Sequence, residues 1–293
     1  MTSLRMHVIN AYLRGIEKPK MATPEAARRR MAQSSATSTP PGRLRKRHQV
    51  TRRTQQGFDC WTVAPTAGAS TAALYLHGGA YISQMVIQHW ALVSQLADAG
   101  VLVEVPIYGL APHYTYRDAY PFVTDAYRIL VEQFDASKVS IVGDSAGAGL
   151  ALGLAQSLEE SGLPQPARLV LMAPWLDLTL SGEGITAAAP RDPMLTPAGL
   201  IEAGAAWAGG DDPKRPRLSP IHGSLHALPP TDIYIGSRDL FLPDIRRLAQ
   251  LAGDAAWPVT LIEAPGAPHA YPLLPAPEGS KARERIVTSL AGG

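Results

Sequence analysis

The sequence lacks several features that would place it in other classes of protein. Its 293 residues include one cysteine, Cys60, which excludes an intrachain disulfide framework and is compatible with a reducing compartment. It has no run of about 18 apolar residues, so we expect no transmembrane helix and no integral membrane contact. Residues 1–20 carry four basic side chains with no apolar segment between them, so we expect no signal peptide and a cytoplasmic location.

Motifs that hold metals and cofactors are also missing. The chain has no His-Glu-x-x-His sequence, and a single cysteine cannot complete a structural zinc site. It has neither a glycine-rich phosphate loop nor a dinucleotide-binding fingerprint. We therefore expect neither a metal ion nor an organic cofactor.

Aromatic residues are few, at 6%, and none lies within the basic clusters at 28–30 and 43–47. These clusters belong to a basic arm, because residues 1–56 hold 13 Lys and Arg against two acids, a net charge of +11, whereas the remainder carries −9. A surface on which nucleic-acid bases stack needs aromatic side chains among the basic ones. The pattern favours an arm that packs on its own acidic body over an adaptor for nucleic acid or anionic lipid.

The composition is that of a globular protein, with 46% hydrophobic and 18% charged residues. We predict strands at 50–53, 59–64, 72–76, 101–106, 139–142, 168–172, 232–235 and 259–263. We predict helices at 3–15, 24–33, 120–134, 146–161, 197–208 and 244–252, the second with Thr23 as its N-cap. Short apolar strands separated by helices indicate an α/β fold with a mostly parallel sheet covered on both faces.

The order of these elements predicts one catalytic domain with additions. Residues 1–48 form a basic helical segment, in which 34–42 is predicted to be a linker. Residues 49–293 form the catalytic domain. Within that domain, 177–226 is rich in Gly, Pro and Asp, and we expect a cap insertion there rather than sheet.

The clearest chemical signal is the sequence Gly143-Asp144-Ser145-Ala146-Gly147, which lies between a predicted strand and a predicted helix. This context is typical of a nucleophile elbow, a tight turn that raises the serine above the sheet at a helix N-terminus. The two glycines are needed because side chains at their positions would clash. Ser145 is the predicted nucleophile, and the helix dipole favours the oxyanion that its attack creates.

A second signal is the sequence His-Gly-Gly-Ala-Tyr, which directly follows strand 72–76. We expect Gly78, Gly79 and Ala80 to form an oxyanion hole together with Ala146, because acyl transfer needs N–H donors about 3 Å from the developing charge. The donors would be the N–H groups of Gly79, Ala80 and Ala146. His77 is expected to brace the loop rather than to act as the base.

A serine hydroxyl needs a general base, which follows the nucleophile along the chain in this kind of fold. Only three histidines follow Ser145. His269 lies in a loop directly after the last predicted strand, whereas His222 and His226 lie in the insertion. His269 is therefore the predicted base.

The acid that orients this base is assigned by position. Asp239 follows strand 232–235 through a three-residue loop, which places it on the same rim of the sheet. Asp244 is expected to cap the following helix. The insertion also contains acids that suit turns: Asp192, Asp211 and Asp212.

At these residues the sequence resembles the hormone-sensitive-lipase-like family of α/β-hydrolases, which includes bacterial carboxylesterases and acetyl-hydrolases. The resemblance rests on the His-Gly-Gly sequence, the Gly-Asp-Ser-Ala-Gly elbow, Asp239 and His269, with further similarity at 110–112 and 173–177, and covers roughly residues 50–275. It implies a cofactor-free ester hydrolase whose cap is partly built from the N-terminal segment. Tyr81 and Asp144, beside the two motifs, are then expected to bind the substrate.

The expected activity is hydrolysis of short- to medium-chain acyl or acetyl esters, by a chain that could form a homodimer. The same residues could instead hydrolyse a lactone or an N-acetyl amide. The alternative from another functional class is a non-catalytic protein that binds a ligand on the hydrolase fold. Ala80 and Gln84, where the family usually has glycine, are expected to narrow the acyl site. The apolar arm residues are expected to close over the site as one helix face: Met6, Val8, Ile9, Tyr12 and Leu13.

Overall fold

The computed structural model describes residues 2–33 and 38–292. The strands are β1 (Gln49–Gln55), β2 (Phe58–Ala64), β3 (Thr71–Leu76), β4 (Val101–Pro106), β5 (Val139–Asp144), β6 (Arg168–Met172), β7 (Thr231–Gly236) and β8 (Val259–Ala264). The α-helices are α1 (Leu4–Tyr12), α2 (Pro24–Ala32), α3 (Gly42–Arg47), α4 (Ile87–Asp98), α5 (Tyr116–Gln133), α6 (Ala146–Ser157), α7 (Ile185–Ala188), α8 (Pro197–Ala208), α9 (Leu242–Asp254) and α10 (Pro277–Ala291). Each predicted strand is present.

The strands form one sheet in the order β1-β2-β4-β3-β5-β6-β7-β8. The six strands from β4 to β8 in this order run parallel, whereas β2 pairs antiparallel with β4, and β1 with β2, at one edge. The predicted mostly parallel sheet is confirmed. Because parallel strands end at the same rim, the loops that follow β3, β5, β7 and β8 are brought together.

Helices cover both faces of the sheet and create an apolar core on each. Alternate residues of β3 serve the two cores, with Leu74 and Leu76 in one and Ala73 and Tyr75 in the other. Helices α4 and α10, which supply the second core, were not predicted. In α10 the buried positions form a narrow stripe among charged residues, so its apolar periodicity is weak.

The N-terminal arm is helical, as predicted, but it is interrupted. Helix α1 continues as a π-helical turn, Leu13–Glu17, and a 3-10 turn, Lys18–Met21, before α2 begins. Thr23 caps α2 as predicted, because its side chain accepts a hydrogen bond from the N–H of Ala26. Of the predicted linker, residues 34–37 lie outside the described residues, and Gly42 already begins α3.

The apolar residues of α1 do not share one face, and that expectation was wrong. Met6 and Leu13 are buried against the body and Ile9 is half-buried, whereas Val8 and Tyr12 are exposed to solvent. Residues three or four positions apart share a helix face, so the two groups lie on different sides. One side of α1 is docked on the body, and another presents apolar side chains outward.

The segment 177–226 contains α7, α8 and a 3-10 turn, Pro220–His222. It adds no strand to the described sheet, and α8 has the predicted bounds. Among the described residues, no helix is both long enough and apolar enough to cross a membrane.

Candidate active site

The turn between β5 and α6 holds Ser145 in a strained backbone conformation. Its φ is 54° and its ψ is −120°, a region that non-glycine residues rarely adopt. A Cβ at Gly143 would lie 2.6 Å from the carbonyl oxygen of Gly147, and a Cβ at Gly147 would lie 2.1 Å from that of Leu76. Only glycine fits either position, as the sequence predicts.

Three side chains from three loops meet at the rim of the sheet. His269 Nε2 lies 2.8 Å from Ser145 Oγ, and His269 Nδ1 lies 2.8 Å from Asp239 Oδ2. Ser145 follows β5, Asp239 follows β7 and His269 follows β8. All three are buried. The arrangement allows a proton to pass from the serine hydroxyl to the imidazole while the carboxylate stabilises the imidazolium.

The environment of His269 favours its protonated form. Burial of the ring opposes protonation, but the facing carboxylate of Asp239 outweighs burial, so the pKa of His269 is raised above its ordinary value. The carboxylates of Asp192 and Asp144 act in the same direction. The imidazole is therefore well suited to accept a proton from a serine.

A second buried acid, Asp192, supports the loop of Asp239. Its Oδ1 accepts hydrogen bonds from the N–H groups of Met194 and Leu195, at 2.6 and 2.8 Å, and its Oδ2 accepts one from Leu240 N, at 2.7 Å. Burial, and then the negative charge of Asp239, raise the pKa of Asp192 to about 6. Asp192 thus makes the predicted turn, but its bond to Leu240 had no sequence signal, since its partner is 48 positions away.

Asp244 does not cap a helix, and that prediction was wrong. Helix α9 begins at Leu242, so Asp244 lies inside its first turn, where it is buried against Gly182. Burial and the neighbouring charge of Asp177 raise the pKa of Asp244 to about 6. It makes no hydrogen bond to His269 in the described structure.

The loop after β3 lies against the elbow, since a Cβ at Gly78 would lie 3.0 Å from Ser145 Cβ. Gly79 and Ala80 have φ values of 116° and 53°, and among the described residues their N–H groups have no hydrogen-bond acceptor. Gly78 differs, because its N–H donates to Asp144 Oδ1 at 3.0 Å. The expectation that Gly78 belongs to the oxyanion hole is therefore wrong. Its lack of a side chain matters instead, since a Cβ would lie 2.2 Å from Asp144 Oδ2.

Asp144 does not face the substrate, contrary to expectation. Its Oδ1 also accepts a hydrogen bond from the Tyr75 hydroxyl at 2.8 Å, and its Oδ2 lies 3.3 Å from His89 Nε2. Burial opposes ionisation, but His89 and the hydroxyl and N–H donors outweigh it, so the pKa of Asp144 is lowered. The carboxylate fastens the loop after β3 to the elbow.

Tyr81 is likewise structural, and no face of it is free for substrate. Its hydroxyl donates to the carbonyl of Ala146 at 2.8 Å, and its ring stacks on Trp207 of α8 with centroids 4.3 Å apart. Only 2% of Tyr81 is exposed. It connects the start of α6 to the insertion.

His77 braces the loop, as expected. Its Nδ1 lies 2.7 Å from the carbonyl oxygen of Gly78, and its ring stacks on Tyr108 with centroids 4.4 Å apart. Burial lowers the pKa of His77 to about 4, so the ring is neutral near pH 7. Gln84 lines a cavity of about 480 Å³ whose lining does not include Ser145, and the narrowing of the acyl site by Gln84 stays a prediction.

The comparisons with known proteins point to α/β-hydrolases that act on esters. A family profile described as the α/β hydrolase fold matches residues 73–273. An acetyl-hydrolase of Streptomyces hygroscopicus is 38% identical over 228 residues, which cover 76% of each chain. The crystal structure of EstE5 soaked with p-nitrophenyl butyrate has a TM-score of 0.84 and 28% identity, covering 99% of this chain and 98% of that one. An esterase of the bacterial hormone-sensitive lipase family has a TM-score of 0.80 and 27% identity, covering 100% and 99%.

Proposed function

Because the chain belongs to the α/β-hydrolase family and is an ester-hydrolysing enzyme, we propose that it cleaves short- to medium-chain acyl or acetyl esters through an acyl-enzyme. In this proposal Ser145 is the nucleophile, His269 the general base and Asp239 the acid that orients the base. The observation that carries it is the unbroken line of two 2.8 Å contacts from Ser145 Oγ through His269 to Asp239.

The first step forms a bond between Ser145 Oγ and the ester carbonyl carbon. His269 Nε2 takes the hydroxyl proton, and the tetrahedral intermediate collapses as His269 returns that proton to the departing alcohol. Water then attacks the acyl-serine, with His269 again accepting and returning a proton. The products are the carboxylic acid and the alcohol, and no cofactor is consumed.

The negative charge of the intermediate would be held by the N–H groups of Gly79, Ala80 and Ala146. The N–H groups of Gly79 and Ala80 have no protein acceptor within the described residues. Ala146 is the first residue of α6, where the helix dipole also stabilises a negative charge. One such donor contributes about 3 kcal/mol to the transition state. The methyl group of Ala80 lies beside these donors and supports a preference for small acyl groups.

We also propose that the N-terminal arm, 1–48, is part of the cap, together with 177–226. Its docked side reaches the loop of His269, since Asn10 Nδ2 donates to the carbonyl of Gly266 at 2.9 Å and Thr2 Oγ1 donates to that of Pro265 at 2.9 Å. Asn10 is buried, which makes this bond costly to lose.

The arm also reaches the support of Asp239. Lys18 Nζ donates to the carbonyl oxygens of Ala189 and Asp192, at 3.1 and 2.5 Å. The side chain of Asp192 in turn holds Leu240, the neighbour of Asp239. The N-terminal arm thus contacts both the loop that carries His269 and the residue that holds the loop of Asp239.

The test is a Ser145→Ala variant assayed on p-nitrophenyl acetate, butyrate, octanoate and palmitate, with lactone and N-acetyl amide substrates alongside. We expect the wild type to be fastest on the acetyl or butyryl ester and the variant to lose about 10⁴-fold or more in kcat. A fluorophosphonate probe should label the wild type and Ser161→Ala, a control away from the elbow, but not Ser145→Ala. Retention of a tenth of the activity by Ser145→Ala would refute the assignment.

A further inference from the structure

Helix α1 and the turn after it present a row of apolar side chains to solvent. Leu4, Val8, Tyr12 and Ile16 are 82, 62, 56 and 51% exposed. They are spaced four positions apart, so they follow one another along one side of the helical arm. They make up half of the large hydrophobic residues that are exposed in the described chain. Such a concentration on one short helix marks an interaction surface.

The arm that carries this row is basic. Residues 2–33 contain seven Lys and Arg against two acids, and each acid is already paired, Glu17 with Lys20 at 2.7 Å and Glu25 with Arg28 at 3.0 Å. Arg5, next to Leu4, is exposed and has no carboxylate partner among the described residues. An exposed apolar row on a helix of net positive charge is typical of segments that lie in the headgroup region of anionic membranes.

We propose that this side of the arm binds the surface of an anionic lipid bilayer, with Leu4, Val8 and Tyr12 inserted among the headgroups. The composition alone favours an arm that only packs on its own body, and it is the exposed side of α1 that leads to a different conclusion. Charge decides against a second copy of the chain as the occupant. A two-fold contact through α1 would bring two positively charged arms together, and they would repel each other. The phosphates of an anionic bilayer would instead attract the positive charge of the arm. The binding is peripheral and reversible, since one short helix is far from a membrane span.

The docked side of the same helix gives this surface a defined relation to the catalytic rim. Asn10 contacts the carbonyl of Gly266, three residues before His269, so α1 lies directly on the loop that carries the proposed base. A bilayer bound to the outer side of α1 is therefore separated from that loop by one helix diameter, about 10 Å. The enzyme is held with the rim of its site near the lipid.

The experiment is co-sedimentation of the full chain with vesicles of phosphatidylcholine alone or with phosphatidylglycerol. We expect binding to the mixed vesicles only, and weaker binding at high salt. The double variant V8S/Y12S should lose about tenfold or more in vesicle affinity, because it removes two apolar side chains that would be buried in the bilayer. Arg5→Ser should lose about fivefold. Ile87→Ser, which changes an equally exposed apolar residue at the start of α4, should bind like the wild type.

Hydrolysis of a water-soluble acetyl ester separates this proposal from the catalytic one, because V8S/Y12S should keep wild-type rates in solution. Equal binding by V8S/Y12S and the wild type would overturn the lipid surface and leave the catalytic assignment untouched. So would binding to pure phosphatidylcholine that salt does not weaken. Light scattering supplies the remaining alternative: a wild-type dimer that V8S/Y12S converts to a monomer, without vesicle binding, would assign the row to self-association.

Discussion

Replacing Asp192 by Asn removes the negative charge of this buried acid and keeps two of its three hydrogen bonds. In the wild type its carboxylate accepts three N–H donors, and its negative charge helps to raise the pKa of His269. The amide of Asn keeps one acceptor oxygen for Met194 and Leu195 but turns its NH₂ group toward the N–H of Leu240. Charge is lost, and one hydrogen bond is replaced by two facing donors.

The two effects of Asp192→Asn on stability nearly cancel. A pKa of about 6 instead of the ordinary 3.8 means that ionised Asp192 destabilises the folded state by about 3 kcal/mol at neutral pH, a cost that the neutral amide removes. That cost is absent below the ordinary pKa of 3.8, grows as pH rises from there to about 6, and is constant at higher pH. In the variant, the N–H of Leu240 would face the side-chain NH₂ group without an acceptor, which lowers the free energy of unfolding by about 1–3 kcal/mol. We expect the melting temperature at pH 8 to change by only a few degrees.

The kinetic effect of Asp192→Asn has a definite sign. In the proposed mechanism catalysis needs neutral His269, so activity is expected to rise with pH through the pKa of this residue. The negative charge of Asp192 is one of those that raise the pKa of His269, so removing this charge lowers that pKa. The acid limb of kcat/KM against pH should therefore move to lower pH in Asp192→Asn. Asp212→Asn, an exposed change in the same insertion, should leave it in place. A limb that stays or moves upward in Asp192→Asn would refute the electrostatic role.

Five further substitutions, at four residues, test the other supports of the site. Asp239→Asn should lower kcat by about 10⁴-fold with little change in melting temperature, whereas Asp244→Asn should keep most of its activity; the reverse pattern would move the acid to Asp244. Gly147→Ala, whose Cβ would lie 2.1 Å from a carbonyl oxygen, should fail to fold or melt many degrees lower in a thermal denaturation scan, and a stable variant would contradict the tight elbow. Asn10→Ala should lower kcat about tenfold at nearly constant KM, because the loop of His269 loses a hydrogen bond that contributes about 1–2 kcal/mol. Asn10→Asp, which cannot donate to Gly266, should have the same effect. An unchanged kcat in both variants would show that the arm has no role in catalysis.

The proximity of Ser145, Asp239 and His269 could be predicted because each directly follows a parallel strand, and such strands end at one rim. The glycines of the elbow could be predicted because a tight turn allows no side chain. The roles of Asp144 and Tyr81 could not, since their partners come from distant elements and only the packed structure shows that their polar atoms are already bonded. The split of α1 into a docked and an exposed side also depends on packing, because the apolar pattern alone does not say which side meets the body.

The hydrogen bond between Asn10 and Gly266 joins residues 256 positions apart, and it affects how the enzyme folds during translation. The arm is synthesised first, yet its docking partner emerges near the end of translation, together with the loop of His269. Contacts of such long range form late, because the intervening chain must be ordered before they can close. If Asp239 and His269 are the acid and the base, as proposed, a nascent chain exposes its nucleophile turn before either residue has been synthesised. Hydrolysis then requires translation through His269, and a chain that stops before this residue is expected to be inactive.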